Sequence, residues 1–142
     1  MWVLYDMALD YSGQYAETLD PYQSHTGTDT LFAVGWQYEG DKDGDGKDDG
    51  QNTLFQIWMS KWNAQVFVDP IAPITGTQDG AELLTLGCTT DGGLYGIDTQ
   101  GKLYTVGVDG VCTYVATTDF VNELNYSGCN VIQSMGYDHN TG

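Results

Sequence analysis

Short apolar runs alternate with glycine-containing turns along most of the chain. The runs are rich in β-branched and aromatic residues, and "DG" pairs at 45–46, 79–80, 91–92 and 109–110 separate several of them. They are "TLFAVGWQY" (30–38), "NTLFQIWMS" (52–60), "AQVFVD" (64–69), "AELLTLGCTT" (81–90), "GLYGID" (93–98), "KLYTVGV" (102–108) and "VCTYVATT" (111–118). No segment keeps a helical apolar period over three turns. The pattern therefore predicts an all-β fold.

The strand motifs occur twice in the same order. "LFAVG" (31–35), "TLFQI" (53–57) and "AQVFVDP" (64–70) match "LYGID" (94–98), "KLYTV" (102–106) and "CTYVATTD" (112–119). Ahead of them, "MALDYSG" (7–13) resembles "MGYDHNTG" (135–142), and Asp10 is matched with Asp91 of "LGCTTDGG" (86–93). The unit is thus strand, turn, strand, turn, strand, turn, strand.

This repeat predicts three segments. Residues 1–80 form a first repeat with two insertions, at 14–29 and at the acidic loop 41–52. Residues 81–130 form a second repeat, and 131–142 begin a further one with its first strand. We expect 94–97 and 103–106 to pair as neighbouring strands.

The order "LYGID…GKLYTV" resembles the blades of bacterial extracellular β-propellers. The resemblance implies antiparallel four-stranded sheets, here two blades plus the start of a third. Propellers typically close with 4–8 blades. Three explanations stay open: a fragment of a longer chain, which we favour, closure by self-association, or an open sheet pair that is not a propeller. A β-sandwich with coincidental similarity is the plainer alternative.

The charge of the chain limits its partners. Asp and Glu number 20 against 4 Lys and Arg, for a formal net charge of −16. Such a chain is repelled by nucleic acids and by anionic membrane surfaces. No run of 18 apolar residues is present, so membrane insertion is not expected. This excess of acidic over basic residues favours an extracellular or cell-surface location for the protein.

The number and spacing of the three cysteines argue against a zinc site and against a network of disulfides. The chain has no CxxC motif and only two histidines, which argues against a zinc site. Cys88 and Cys112 fall in the first and fourth strands of one repeat, so their Cα atoms should be roughly 14 Å apart. A disulfide needs less than about 7 Å. We predict no Cys88–Cys112 bond: either Cys129 takes part in any bond, or all three are free thiols.

The acidic stretch "DKDGDGKDDG" (41–50) carries the most specific chemistry. Asp41, Asp43 and Asp45 alternate, a glycine follows, and Asp49 comes four residues after Asp45. Ca²⁺ binds 6–8 oxygen ligands at about 2.3–2.6 Å, and alternate residues of a tight loop can direct their carboxylates inward together. The Lys47 carbonyl completes the pattern. The spacing predicts a Ca²⁺ site; the alternative is a solvated acidic loop.

The segments flanking this loop are predicted strands, so it is not an EF-hand. It resembles the calcium loops of integrin-α propeller blades and of thrombospondin type 3 repeats. The integrin-like form implies Asp49 as a bidentate ligand, and the thrombospondin-like form implies that Asn52 also ligates. Asp48 is expected to point into solvent.

Catalytic motifs are lacking: the chain has no G-x-S-x-G, Walker or HExxH pattern, and we interpret His25 and His139 as turn and surface residues. The sequence predicts a noncatalytic calcium-binding module of a secreted or cell-surface protein, acting in adhesion or ligand binding, with calcium in a structural role. Its partners would be an extracellular protein or a glycan. Two alternatives stay open: a fragment of a propeller hydrolase or lyase acting on carbohydrate, and a lectin.

Overall fold

The structure is a computed structural model and describes residues 1–118 and 134–142. Apart from a four-residue helix α1 (Ala16–Leu19) and a 3₁₀ turn (Gln78–Gly80), its regular elements are all strands. The strands are β1 (Trp2–Asp10), β2 (Thr30–Gln37), β3 (Gln51–Met59), β4 (Val66–Pro73), β5 (Gly87–Cys88), β6 (Leu94–Ile97), β7 (Lys102–Val106) and β8 (Cys112–Thr117). The predicted all-β class is confirmed. No helix among these residues has the length and apolarity needed to cross a membrane.

The strands form two antiparallel four-stranded sheets. Sheet 1 has the order β1-β2-β3-β4 and sheet 2 the order β5-β6-β7-β8, so each strand pairs with its neighbour in sequence. The predicted pairing of 94–97 with 103–106 is confirmed, because Leu94 pairs with Val106 and Ile97 with Leu103. Antiparallel neighbours need only a hairpin connection, and short turns join the successive strands of sheet 2.

The two segments predicted as insertions connect strands of sheet 1. Residues between β1 and β2 carry α1, and the acidic stretch joins β2 to β3. Both segments consequently lie outside the sheet ladder, where added chain does not disturb strand pairing.

A shared apolar core joins the two sheets. Phe32, Val34 and Leu54 of sheet 1 pack with Leu94 and Tyr104 of sheet 2, and all five are at most 2% exposed. Phe32 and Val34 alternate along β2, which places them on one face of the sheet. Burying a side chain of this size contributes about 1.5–3 kcal/mol.

The repeated motifs occupy equivalent positions in the two sheets. Leu31 pairs with Ile57 just as Leu94 pairs with Val106. For the first strand of each sheet, β1 and β5, the match made from the sequence is shifted relative to the strand register in the structure. Asp10 pairs with Thr30, and the register makes Thr89 the equivalent of Asp10, because the Thr89 N–H donates to Gly93 O. Asp91, the residue matched with Asp10 from the sequence, lies two residues beyond this position, in the turn that follows β5.

The C-terminal segment approaches the first strands of both sheets. The first strand predicted for the segment 131–142 falls partly outside the described residues, and residues 134–142 contain no strand. The Met135 N–H donates to Asp6 Oδ2 at 3.3 Å, and the Leu86 N–H donates to the same oxygen at 3.0 Å. Asp6 therefore links β1, the segment before β5 and the C-terminal segment.

Cys88 and Cys112 are both buried free thiols. They lie at the two ends of one cross-strand row, in which Cys88 pairs with Leu94, Leu94 with Val106 and Val106 with Cys112. Three strand steps separate them, as the sequence argument assumed. Burial raises the pKa of each thiol to about 11. Cys129 lies outside the described residues.

Candidate metal centre

The acidic loop connects β2 to β3, and a backbone hydrogen bond closes it at its base. The Asp49 N–H donates to Gly40 O at 2.7 Å, which joins the two ends of the loop just beyond the strands. Gly40 has a φ of 81°, in the left-handed region where a residue with a Cβ is strained. The eight residues between these two ends must therefore turn back on themselves.

Asp48 holds the base of the loop together. Its Oδ2 accepts the Trp36 indole N–H at 2.7 Å and the Gly50 N–H at 2.8 Å, while Oδ1 accepts the N–H groups of Gly40 at 2.6 Å and Glu39 at 3.1 Å. The indole bond is the largest influence and lowers the pKa of the Asp48 carboxyl. The expectation that Asp48 points into solvent is wrong: it anchors the loop to β2 because a partly buried indole N–H needs an acceptor.

Three carboxylates of the loop converge. One oxygen each from Asp41, Asp43 and Asp49 lies within 4.8 Å of the other two. Spacing of this kind lets three oxygens reach one cation placed between them, since Ca²⁺–oxygen distances are about 2.3–2.6 Å. The structure thus brings together three of the residues that the sequence pattern had singled out.

Backbone hydrogen bonds hold Asp41 in place. Its Oδ1 accepts the Gly44 N–H at 2.7 Å and its Oδ2 accepts the Gly46 N–H at 2.8 Å. These bonds favour the ionised form, so the Gly46 and Gly44 N–H groups lower the pKa of the Asp41 carboxyl. Gly44 and Gly46 have φ values of 83° and 84°, which explains glycine at both positions.

Each of the other loop aspartates uses one oxygen within the loop. Asp49 Oδ2 accepts the N–H groups of Lys42 at 2.5 Å and Asp43 at 3.2 Å. Asp43 Oδ1 accepts the Asp45 N–H at 3.0 Å, and Asp45 Oδ1 accepts the Lys47 N–H at 2.8 Å. Within the described part of the chain, the second oxygen of Asp43, Asp45 and Asp49 accepts no hydrogen bond, so it is free for a cation.

Asp45 and the Lys47 carbonyl are two further predicted ligands in the same loop. Asp45 is not part of the mutually close group among the described residues, although it lies between Asp43 and Asp49 in sequence. Lys47 is exposed, and its backbone N–H binds Asp45. Among the described carboxylates, the structure therefore brings together Asp41, Asp43 and Asp49 but not Asp45.

Asn52, the remaining predicted ligand, has a different environment. Its Nδ2 donates to Gly35 O at 3.0 Å and to Leu83 O at 3.1 Å, and its Oδ1 accepts the Leu83 N–H at 2.7 Å. The residue is 8% exposed and lies where sheet 1 meets the segment before β5. Its amide thus joins the two halves of the chain. Asn52 is a polar amide at an inward-facing position of β3. That position in the strand pattern is the sequence feature that could have indicated its role.

Lys42, the cation nearest in sequence to the three carboxylates, is bound elsewhere. Its ammonium group contacts Glu39 Oε2 at 2.6 Å, and this hydrogen bond raises the pKa of the lysine. Between the described residues, no ion pair involves Asp41, Asp43 or Asp49. Within the described part of the chain, these three carboxylates therefore have no directly paired cationic side chain.

The donor set fits a hard cation. It contains carboxylate oxygens from adjacent turns of one loop, and neither histidine nor cysteine belongs to the cluster. Oxygen-only sites suit Ca²⁺, Mg²⁺ and Mn²⁺, whereas zinc sites rely mainly on histidine nitrogen and cysteine sulfur. Three nearby aspartates could hold a metal ion of that class.

His25, His139 and Trp58 make their contacts outside the acidic loop. His25 stacks on Trp58 with ring centroids 4.3 Å apart, so it is more enclosed than the surface position expected for it. Trp58 Nε1 donates to Asp69 at 2.6 Å. His139 is exposed, and its Nδ1 lies 2.9 Å from the Thr90 hydroxyl. The contact between His139 and Thr90 is exposed to solvent.

Comparisons with protein-family models, with curated proteins and with solved structures found no match to this chain.

Proposed function

We propose that the loop 41–49 binds one Ca²⁺ ion and that the ion has a structural role. The convergence of the Asp41, Asp43 and Asp49 carboxylates within 4.8 Å carries this proposal. The pre-formed hydrogen bonds around them support it, because ligands that are already oriented lose less conformational entropy when the ion binds.

Calcium suits this loop better than magnesium. Ca²⁺ accepts 6–8 oxygens in flexible geometry, whereas Mg²⁺ requires a small octahedral cage at about 2.0–2.1 Å and retains several waters. One continuous loop with several carboxylates and backbone carbonyls matches the first requirement. The three clustered aspartates would be primary ligands, and Asp45 and the Lys47 carbonyl would add to them by their place in the spacing pattern.

We leave Asn52 out of this ligand set. Its amide oxygen already accepts the Leu83 N–H, and exchanging that bond for a metal would leave a buried backbone donor unpaired. The proposal therefore follows the integrin-like form of the loop, in which Asp49 is the ligand at the end of the pattern.

The structural role follows from repulsion between carboxylates. Without a cation, ionised Asp41, Asp43 and Asp49 repel one another at close range, which favours an opened loop. A bound Ca²⁺ adds an attraction to each carboxylate, and together these attractions outweigh the repulsion. The ion would hold together a loop that is tied to β2 by Asp48 and that leads directly into β3.

The wider setting we propose is a noncatalytic module of a secreted or cell-surface protein, in adhesion or ligand binding. The net charge of −16 and the calcium loop favour an extracellular medium, where modules bind calcium with dissociation constants of about 10⁻⁴–10⁻³ M. The repeated four-stranded sheets favour a propeller-like assembly with further repeats. An extracellular protein or glycan is the proposed partner.

A lectin is the second candidate, and one observation favours it. A cleft of about 660 Å³ lies beside the insertion between β1 and β2 and is lined by Glu17, Asp20, His25 and Lys61. Hydroxyl-rich ligands need such polar groups. A glycan array probed with the intact chain, with and without calcium, tests this candidate: a specific glycan signal lost in a Lys61→Ala variant would support it.

Isothermal titration of the chelator-treated chain with CaCl₂ tests the calcium proposal. We expect one site, and loss of binding in Asp43→Ala. Asp109→Ala is the matched control, because Asp109 is an exposed turn aspartate that accepts the Val111 N–H just as Asp43 accepts the Asp45 N–H. Absence of binding at millimolar calcium, or an equal loss in both variants, would reject the proposal.

A further inference from the structure

The cleft beside the insertion 14–29 is formed by two segments that are bonded to each other. One wall is the insertion itself, and the other is the turn between β3 and β4. The Lys61 N–H donates to Ser24 O at 2.9 Å, and the Thr26 N–H donates to Met59 O at 3.0 Å. These backbone bonds hold the two walls together, so the cleft is formed before any ligand binds.

Asp20 fixes the shape of the insertion wall. Its Oδ1 accepts the Ser24 N–H at 2.8 Å and the Ser24 hydroxyl at 2.6 Å, and its Oδ2 accepts the His25 N–H at 2.7 Å. The His25 ring stacks on Trp58, and Trp58 in turn stacks on Phe67 with ring centroids 4.5 Å apart. A site whose walls are already ordered loses less conformational entropy when a ligand binds.

The side chains that line the cleft are mainly polar. Glu17, Gln23 and Thr28 offer a carboxylate, an amide and a hydroxyl group. Among the described residues, no ion pair involves Glu17 or Lys61. Hydroxyl groups both donate and accept hydrogen bonds, so a hydroxyl-rich ligand can pair with this mixture of donors and acceptors.

Each wall of the cleft also carries a large exposed aromatic side chain. Trp62 follows Lys61 in the β3–β4 turn and is 70% exposed, and the Lys61 ammonium lies 5.1 Å from the centre of its ring. Tyr22 is 86% exposed and lies between Pro21 and Gln23, which both line the cleft. Trp and Tyr are the residue types that contribute most often to binding energy in interaction sites.

We propose that the cleft, together with the rings of Tyr22 and Trp62, binds a neutral oligosaccharide. The two rings stack on the apolar C–H faces of sugar units, and the polar side chains between them bind the sugar hydroxyls. This inference rests on the lectin candidate above, and it adds the stacking residues and the class of glycan.

Charge favours a neutral sugar over an anionic one. The chain has a formal net charge of −16, and the carboxylates of Glu17 and Asp20 line the cleft, so sulfate or carboxylate groups on a glycan are repelled. A proline-rich peptide also stacks on exposed rings, but it docks in grooves lined by aromatic residues. The polar lining of this cleft therefore favours the sugar.

Isothermal titration of the intact chain in chelator tests the site. The probes are neutral oligosaccharides built from glucose, xylose, mannose or N-acetylglucosamine, with a sulfated glycan and a proline-rich peptide as alternatives. We expect binding of a neutral oligosaccharide, and Trp62→Ala should raise its dissociation constant by about tenfold or more because a stacking ring is lost. Trp2→Ala is the matched control, because Trp2 is 43% exposed but lies on β1, and its affinity should be unchanged.

Far-UV circular dichroism verifies that each variant is folded, and Tyr22→Ala replaces Trp62→Ala if the latter is not. Three results would overturn the proposal: no neutral oligosaccharide bound at millimolar concentration, equal affinities in Trp62→Ala and Trp2→Ala, or binding of the sulfated glycan or the peptide alone. Glycan binding that Trp62→Ala retains would place the lectin site elsewhere. The calcium proposal is tested separately, since the insertion precedes β2 and the acidic loop follows it.

Discussion

Asn52 and Leu83 bind each other twice, side chain to backbone. The Asn52 amide donates to Leu83 O at 3.1 Å and accepts the Leu83 N–H at 2.7 Å. Asn52 is the second residue of β3, directly after the candidate metal loop, and Leu83 is a fully buried residue ahead of β5. One side chain therefore connects the strand that leaves the loop with the beginning of the second half of the chain.

Replacing Asn52 by Ala should destabilise the protein. The change leaves the Leu83 N–H, the Leu83 carbonyl and the Gly35 carbonyl without their partner. Unsatisfied buried groups cost about 1–3 kcal/mol each, so we expect a loss of about 2–4 kcal/mol in the free energy of unfolding, measured by urea denaturation. Asn63→Ala is the control, since Asn63 is exposed and accepts one local N–H.

The same variant distinguishes the two roles considered for Asn52. If Asn52 joins the two halves of the chain, Asn52→Ala should bind calcium with nearly unchanged affinity despite its lower stability. If it is a metal ligand, affinity should fall together with stability. Calorimetric titration well below the melting temperature of the variant separates these outcomes.

Calcium should raise the melting temperature of the chain. At a free calcium concentration ten times the dissociation constant, binding adds about 1.4 kcal/mol to the free energy of unfolding. That corresponds to a rise of a few degrees for a domain of this size. Differential scanning calorimetry in chelator and in calcium measures it. Asp49→Asn should remove the rise and Asp109→Asn should keep it; identical wild-type curves under both conditions would indicate a solvated acidic loop.

Asp48→Ala should lower the stability of the folded protein even when calcium is absent. The variant removes the acceptor of the Trp36 indole and of three backbone N–H groups at the base of the loop. We expect a lower denaturation midpoint in chelator and a change in tryptophan fluorescence as the indole loses its partner. Asp45→Ala is the comparison, because its carboxylate accepts only the Lys47 N–H within the described residues. Equal midpoints in chelator would contradict the anchoring role.

Asp20 should make stability sensitive to acid. Burial alone raises its pKa, but hydrogen bonds from Ser24 and His25 outweigh burial, so the pKa of the Asp20 carboxyl is lowered. A lowered folded-state pKa stabilises the protein above the unfolded pKa of about 3.9, and this stabilisation is lost as pH falls through the folded value. Urea midpoints measured from pH 6 downward should show a smaller acid-induced decline in Asp20→Asn than in the wild type. An unchanged pH profile would contradict this assignment.

The local sequence pattern was sufficient to predict the strands and the convergence of the three clustered aspartates. Apolar runs between "DG" turns specify hairpins because antiparallel pairing depends on neighbouring segments, and the two four-stranded sheets follow from it. The convergence of Asp41, Asp43 and Asp49 is likewise local, since alternating residues and glycines at Gly44 and Gly46 determine how one loop turns. The sequence by itself determined these features.

Contacts between distant segments were decided only by the tertiary structure. Asn52 is a plausible ligand in a linear pattern, but its partner Leu83 comes from beyond β4, and Asp48 takes its role from an indole on β2. The exposure of Leu9 beside the burial of its counterpart Cys88 has the same origin. Alternation along a strand identifies the two faces of a sheet, but only packing decides which face another sheet covers, because burial depends on segments that are remote in sequence.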